Sequence, residues 1–232
     1  MIIRELIERV VHGYEEGMPS DDNRLANRRV YSELLSNGQK LLKQRLDAGQ
    51  QPSDFQYSYI DCIQLQCDVV HECDCLPKSL GTKYWKSVHP LPEIMSSRKG
   101  LTINYISTLE GARYSKSSFR QLQYIEKGSR YTSKKPKWFI KNNHLFVKKS
   151  DEVKVIAISA VFADPVEAAS IQTMCSPNPV VCSPMDLRFN IVDPNQVEDL
   201  IRMTLNKLNQ LENIRLEDRT NDASNSHPQK AK

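Results

Sequence analysis

Two short apolar runs in the second half of the chain predict a β-hairpin. Residues 138–140 and 145–147 are rich in side chains that favour strands, and the pair Asn142 and Asn143 stands between them. Asparagine tolerates a positive φ better than most residues, so this pair is well suited to a tight turn. The pattern therefore predicts two antiparallel strands joined at the two asparagines.

The next apolar run, residues 153–162, differs because both of its alternating faces are apolar. A strand that is apolar on both faces is typical of the middle of a sheet that is covered on each side. Asp164 and Pro165 then end the run. We therefore expect a central, doubly buried strand, around which the rest of the fold is organised.

Three segments have apolar residues at helical spacing. The first spans residues 2–11 and is expected to end near Gly13 or Gly17. The second runs from residue 23 to residue 48, and at about 1.5 Å per residue it would be roughly 40 Å long. Either a neighbouring subunit or the rest of the same chain would have to cover so long a helix.

A third helix is predicted from its start signal. Asp193 is a candidate N-cap, Pro194 suits the first helical position, and Gln196 stands three residues after the cap. One apolar stripe follows, formed by Val197, Leu200, Ile201, Leu205, Leu208 and Leu211.

The remaining segments give weaker signals. Residues 57–70 and 101–109 read as strands, and residues 79–92 read as irregular. Residues 115–127 suggest a short helix capped by Ser117 or Ser118, and residues 165–170 suggest a helical turn. Together these elements predict an α+β fold, with a mostly antiparallel sheet flanked by N-terminal helices, one of them long, and by a C-terminal helix.

The chain divides into one folded domain and a tail. Residues 1–212 contain all of the predicted elements, whereas residues 213–232 are almost entirely polar. A segment of that composition cannot bury enough apolar surface to fold alone. We expect it to be an extended tail that becomes ordered only against partners.

Positive charge is concentrated in residues 113–154. This segment has twelve Lys or Arg against three Asp or Glu, a net charge of +9, while the whole chain has +4 and the remainder therefore −5. Such asymmetry favours an acidic partner or nucleic acid, although a solvated polar face would look the same.

Basic residues here alternate with aromatic ones: Arg120, Tyr124, Arg130, Tyr131, Lys134, Lys135, Lys137 and Trp138. Base stacking by these aromatics is one interpretation; burial of Trp138 and Phe139 in a core strand is the one we favour.

One group of side chains could hold zinc: Cys62, Cys67, His71, Cys73 and Cys75. The spacing contains no C-x2-C pair, so we expect ordinary thiols instead. A disulfide between Cys175 and Cys182 would bridge a loop, but we expect thiols there as well, because no signal peptide is visible and a reducing cytoplasm keeps cysteines reduced.

Motifs of catalysis are missing from the sequence. It contains no G-x-S-x-G nucleophile turn and no glycine-rich phosphate loop, and its five histidines are scattered. We therefore predict no catalytic, cofactor-binding or metal-binding residues, and a protein that is not an enzyme. No apolar run approaches the roughly 20 residues of a membrane span.

The order of elements, together with several short phrases, resembles a known family. The phrases are HECDCLP at 71–77, VHPLP at 88–92, LTINYI at 101–106, WFIKNNHLFV at 138–147 and FADP at 162–165. On these residues the chain is similar to the head-to-tail connector proteins of crAss-like tailed bacteriophages, the ring or adaptor proteins of the podovirus neck. The resemblance covers about residues 1–212.

This resemblance implies a structural virion protein rather than an enzyme. It implies a ring of twelve copies, docked on the portal protein above and on the next neck or tail ring below, that lines a channel for double-stranded DNA. It also implies assembly in the bacterial host cytoplasm, and the family has no catalytic residues to carry over. The alternative is a soluble, non-enzymatic nucleic-acid-binding protein that uses residues 113–154, which would require one continuous basic patch.

Overall fold

The computed structural model describes residues 1–14, 26–70, 82–119, 121, 136–148, 154–173 and 183–210. Its helices are α1 (Ile3–Tyr14), α2 (Asn27–Asp47), α3 (Pro165–Thr173) and α4 (residues 197–210). Its strands are β1 (Ser58–Val70), β2 (Thr82–Ser87), β3 (Ser96–Ser97), β4 (Gly100–Leu101), β5 (Ile103–Ser107), β6 (Ser115–Lys116), β7 (Lys137–Lys141), β8 (His144–Lys148) and β9 (Val155–Ala160).

Seven of these strands form one sheet in the order β5-β9-β1-β2-β8-β7-β6, and β3 pairs with β4. The β6–β7 pair is parallel and the other pairs are antiparallel. The two ends of the sheet also approach each other, because Tyr114 N–H donates to the Ile106 carbonyl at 2.8 Å and Ser107 bridges Arg113. The sheet therefore curls into a nearly closed barrel, and the predicted α+β class with a mostly antiparallel sheet is confirmed.

The inward face of the barrel forms one hydrophobic core. Alternate residues of each strand point inward, as the two-residue period of a strand requires. A bulge in β1 between Ile60 and Ile63 keeps both of these side chains inside. The strand residues of this core include Ile60, Ile63, Leu65, Ile106, Trp138, Leu145, Val147, Ile156, Ile158 and Ala160.

The helices form a second core beside the barrel. The apolar faces of α1, α2 and α4 meet around residues 189–192. Gly38 of α2 lets the helix approach closely, since a Cβ there would lie 3.3 Å from the Phe189 ring. At the centre, the buried Asn37 side chain donates to the Thr204 hydroxyl at 3.1 Å. The buried side chains of α2 are thus covered within the same chain, without a neighbouring subunit.

Three consecutive residues join the two cores. Phe162 packs into the barrel core, while Val161 and Ala163 on either side of it pack into the helical core. The next residue, Asp164, accepts hydrogen bonds from the Tyr31 hydroxyl and from the Val166 N–H, each at 2.8 Å. Burial, together with the bond to Asp164, raises the pKa of the Tyr31 phenol. The end of the β9 segment therefore fixes α2 and the start of α3 relative to the barrel.

The predicted hairpin is confirmed, but the predicted central strand is confirmed only in part. Strands β7 and β8 flank Asn142 and Asn143, whose φ angles are 49° and 58°. Strand β9 is hydrogen-bonded on both sides but lies next to the edge strand β5. Its inward face is fully buried, whereas Val155 and Ala157 on the other face are half-buried. Burial of both faces is therefore not confirmed.

One of the weaker predictions was wrong, and another is confirmed only in part. Residues 79–92 are not irregular throughout, because β2 lies within them and pairs with β1 and β8. In the segment 115–127, Ser115 and Lys116 form β6 rather than the start of a helix. The predicted cap at Ser118 is confirmed. The Gln121 N–H donates to the Ser118 hydroxyl, and the Ser118 N–H donates to the Gln121 side-chain carbonyl. Most of the later residues of this segment lie outside the described part.

The helix boundaries differ in detail. Helix α1 matches its prediction, and α3 is longer than the predicted turn at 165–170. Helix α2 begins at Asn27 rather than residue 23, with Ala26 at the N-cap, and its 21 residues span about 31 Å. The predicted tail at 213–232 lies outside the described residues.

Asp193 stands before α4 as predicted, but its side chain does not cap the helix. The carboxylate accepts hydrogen bonds from Ser53 and Arg45 instead, and Arg45 also donates to Gln196 at 3.1 Å. Burial alone would raise the pKa of Asp193, but the hydrogen bonds from Ser53 and Arg45 and the charge of Arg45 together hold it below its usual value. This cluster ties α2 to α4.

The junction between the cores gives a first prediction. Replacing Phe162→Ala should destabilise the protein by about 3–5 kcal/mol, because it removes a buried ring and leaves a cavity. Leu109→Ala is the control, since Leu109 is 64% exposed and its loss should change stability by no more than about 0.5 kcal/mol. Denaturant unfolding followed by circular dichroism measures both. Equal midpoints for the two variants would contradict the assigned packing.

The Asp193 cluster gives a prediction about pH. A carboxylate with a depressed pKa in the folded state adds stability above its unfolded pKa of about 3.9, and that stability is lost as the pH falls through the folded-state pKa. At pH 7, Asp193→Asn should therefore cost about 2 kcal/mol, and the difference from wild type should shrink below about pH 4.

Unfolding free energies at pH 3 to 7 check this dependence. Asp199→Asn is the matched control, because Asp199 forms an ion pair with Arg202 on an exposed part of α4. A cost for Asp193→Asn that stays constant across this range would refute the role of the carboxylate charge.

Candidate assembly and nucleic-acid surfaces

The outer face of β2, β8 and β7 has an aromatic cluster formed by Tyr84, Phe139 and Phe146. Phe139 and Phe146 are cross-strand neighbours whose rings stack at 5.0 Å, and Tyr84 meets Phe139 edge-on at 5.4 Å. Phe119 packs on this cluster at 5.7 Å from Phe139. In this half of the barrel, the side chains on the inner face and those on the outer face of the sheet are therefore both apolar and buried at the centre of the wall.

Basic side chains surround this aromatic cluster on the same outer face. Lys137 lies directly opposite Lys148, and Lys141 lies opposite His144. The ammonium of Lys148 is 5.7 Å from the centre of the Tyr84 ring, and burial lowers the pKa of this lysine. Lys86, in the neighbouring strand, pairs with Asp68 at 3.5 Å. We call Lys137, Lys141, His144 and Lys148 the basic face.

Other cations of the segment 113–154 lie elsewhere. Lys116 is beside Trp138, with its ammonium 5.9 Å from the ring, and Trp138 points into the barrel. The guanidinium of Arg113 stacks over Tyr105 at 4.8 Å. The described cations therefore do not form the one continuous patch that the soluble nucleic-acid-binding alternative requires. Arg120, Lys127, Arg130, Lys134, Lys135 and Lys149 lie outside the described residues.

The favoured interpretation of the aromatic residues agrees with the structure. Trp138 and Phe139 are each only 4% exposed and belong to the inner and outer apolar layers of the sheet. Neither ring is available for stacking on a base in this arrangement. Tyr124 and Tyr131 lie outside the described part of the chain.

The opposite half of the barrel wall, formed by β5, β9 and β1, has exposed tyrosines. Tyr59 and Tyr105 both align with Ser159 of the strand between them, and their ring centroids are 6.2 Å apart. Partial burial, followed by the charge and hydrogen bond of Tyr59, raises the pKa of Tyr105, while Arg113 opposes this rise. Sequence reasoning missed this surface, because its members lie far apart along the chain.

A cavity of about 510 Å³ lies along α1. It is lined by Arg4, Ile7, Glu8, Val11, His12, Asn27 and Met185. Arg4 is held at one end by an ion pair with Asp186 at 2.8 Å. The cavity is therefore an amphipathic groove between the N-terminal helix and the start of α2, and nothing in the sequence pattern predicted it.

The cysteine predictions have a mixed outcome. Cys62 is disulfide-bonded, so the expectation that all six cysteines are thiols was wrong. Cys67 is free and exposed, and because these two are the described cysteines, the partner of Cys62 lies outside the described residues. His71, Cys73 and Cys75 lie there too. Within the described part of the chain, no group of three or more metal-binding side chains exists.

None of the helices in the described ranges is both long enough and apolar enough to cross a membrane.

Comparison with known protein families gives a match over nearly the whole chain. A crAss-phage family model described as phage tail ring protein 2 matches residues 5–227 of the chain. The matched region includes nearly all of both cores, both halves of the barrel wall and most of the polar segment 213–232. No curated protein matches the chain.

Proposed function

The chain belongs to the family described as phage tail ring protein 2 and is a structural ring protein of a phage virion; from this premise we propose that its ring stands in the head-to-tail connector. In this proposal the ring docks beneath the portal protein, contacts the next ring of the neck or tail, and surrounds the channel through which double-stranded DNA passes. Twelve copies per ring and assembly in the host cytoplasm belong to the same proposal, which contains no catalytic step.

The observation that carries the proposal is the extent of the family match. It spans residues 5–227 of 232 and so covers nearly all of the described fold, from the first turn of α1 to the end of α4. The order of elements that resembles connector proteins is the order found in the fold, from α1 through the β7–β8 hairpin to α4. The polar segment 213–232 suits an arm that extends onto a stacked neighbour.

The basic face supports contact with DNA in the channel. Lys137 and Lys148 lie directly opposite each other across two strands, so the outer side of this hairpin concentrates positive charge. A phosphate backbone next to this face would be attracted by that charge and would release counterions. The contact would be independent of base sequence, since the aromatic rings between the lysines are buried. DNA could then slide past the ring during packaging and ejection.

Imaging of intact particles tests the position of the ring. Cryo-electron microscopy of the phage neck should show density that fits the barrel and helices in a closed ring between portal and tail, around central DNA density. Quantitative mass spectrometry of the same particles should give twelve copies per portal dodecamer. Finding the chain only at the distal tip of the tail would contradict the connector position while leaving the ring assignment intact.

Salt-dependent DNA binding tests the basic face. We expect the double variant Lys137→Gln/Lys148→Gln to bind double-stranded DNA more weakly than wild type. The slope of log K against log salt concentration should fall by about 0.9 for each phosphate that a copy no longer neutralises. Fluorescence anisotropy with two unrelated duplexes, at several salt concentrations, measures both quantities.

The matched control is Lys40→Gln/Lys43→Gln, which removes the same charge from the exposed side of α2. It should leave the slope close to the wild-type value. If both double variants lower the slope equally, DNA binding depends only on the net charge of the protein, and the basic face has no special role.

A further inference from the structure

The disulfide bond of Cys62 joins the barrel to a cysteine that elimination can identify. Cys62 lies on β1 and is disulfide-bonded. Cys67, the other described cysteine, is a free thiol. The partner of Cys62 is therefore one of four cysteines outside the described residues: Cys73, Cys75, Cys175 and Cys182. Chain length and the positions of described neighbours separate these four.

Cys73 and Cys75 are too far along β1 to pair with Cys62. The strand continues from Cys62 to Val70, which is a span of about 26 Å at roughly 3.3 Å per residue. From Val70 the chain can reach back at most about 11 Å by Cys73 and about 18 Å by Cys75. Even fully extended and folded straight back, they would remain about 15 Å and about 8 Å from Cys62. The Cα atoms of a disulfide are at most about 7 Å apart, so neither cysteine can form the bond.

Cys182 is held near a different part of the fold by the residue that follows it. Ser183 begins a turn in which Asp186 pairs with Arg4 of α1 at 2.8 Å. Helix α1 packs in the helical core, whereas β1 belongs to the barrel. Cys182 is one residue from Ser183, so their Cα atoms are only about 3.8 Å apart. The chain therefore keeps Cys182 on the α1 side.

Cys175 follows the helix that packs beside Cys62. Helix α3 lies along β1, and its Ile171 lines the same cavity of about 20 Å³ as Cys62 and Ile63. Ile171 also packs on the barrel core. Cys175 comes two residues after Thr173, the last residue of α3, so these two Cα atoms are at most about 7 Å apart. Of the four candidates, it is the one that directly follows a segment in contact with the surroundings of Cys62.

We propose that Cys62 and Cys175 form a disulfide that ties β1 of the barrel to the end of α3. The two cysteines are 113 positions apart in the sequence, and the loop that the bond closes contains strands β2 to β9. A crosslink across so long a loop restricts the unfolded chain strongly and so stabilises the folded one. The disulfide adds a covalent link to the non-covalent junction at residues 161–163.

The compartment decides when this bond forms. A reducing cytoplasm keeps cysteines as thiols, so on the proposed assembly in the host cell the bond forms only after lysis, in aerated medium. Each of the two thiols then loses one proton and one electron, and a sulfur–sulfur bond forms. Molecular oxygen takes up both protons and both electrons and becomes hydrogen peroxide. Released particles thus contain a covalent link that newly made chains lack.

Peptide mapping of the full chain from released particles tests the pairing. The protein is alkylated without reduction and cut before aspartate, which separates its cysteines into the peptides 61–67, 68–73, 74–150 and 164–185. We expect peptide 61–67 linked to peptide 164–185, with fragment ions that place the bond at Cys62 and Cys175. Prior reduction is the control and should remove the linked species. A bond from Cys62 to any other cysteine, or a free Cys62 thiol, would overturn the proposal.

Thermal unfolding with and without a reductant gives an independent test. For the air-oxidised full chain we expect the reductant to lower the melting temperature by roughly 5–15 °C. Cys175→Ser should start at the lower value and show no reductant shift, and Cys62→Ser should behave in the same way. Cys182→Ser is the matched control and should keep the wild-type shift.

The outcomes of this test separate the pairing from the place of the ring. A reductant shift that persists in Cys175→Ser, or one that disappears in Cys182→Ser, would show that the partner of Cys62 is a different cysteine. The ring position does not enter either measurement. A ring found outside the neck would contradict the connector proposal and leave the disulfide assignment standing.

Discussion

The alternation of side chains at Val161, Phe162 and Ala163 holds this fold together. In extended backbone, successive side chains point in opposite directions, so a segment that runs between two cores supplies both of them in turn. Phe162 enters the barrel, while Val161 and Ala163 enter the helical layer. A shift of one residue would exchange the two faces and remove apolar surface from both cores. The relative position of barrel and helices is thus set by register rather than by a hinge.

Polar contacts around this segment reinforce the register. The Gln39 side chain donates to the Ala163 carbonyl at 2.9 Å, and Tyr31, also on α2, donates to Asp164. The neighbouring segment 94–95 repeats the arrangement, since Ile94 faces the barrel and Met95 faces the helices. Met95 N–H donates to the Val161 carbonyl at 2.8 Å. Two neighbouring extended segments therefore divide their side chains between the same two cores.

Elements with a local cause were predictable from the sequence. The β7–β8 hairpin depends on two asparagines that adopt positive φ, and α1 depends on a simple apolar stripe. Strand β2 was missed because its residues 82–87 are held by partners distant in sequence, β1 and β8. Asp193 shows the same limit: the N-cap signature located the helix start, but Ser53 and Arg45, which are distant in sequence, compete for the carboxylate.

The candidate surfaces were predictable only where they are continuous in sequence. The excess of lysine in 113–154 pointed to the basic face, yet barrel formation turns Lys116 toward one side of the sheet and Lys137 toward the other. The exposed tyrosines Tyr59 and Tyr105 have no joint sequence signal, since they come from β1 and β5 and are more than 40 residues apart. The chemistry of each half of the barrel wall follows from the strand order. The curled sheet puts lysines outside the β2–β8–β7 half and exposed tyrosines outside the β1–β9–β5 half, so strands that are distant in sequence give one chain two chemically different outer surfaces.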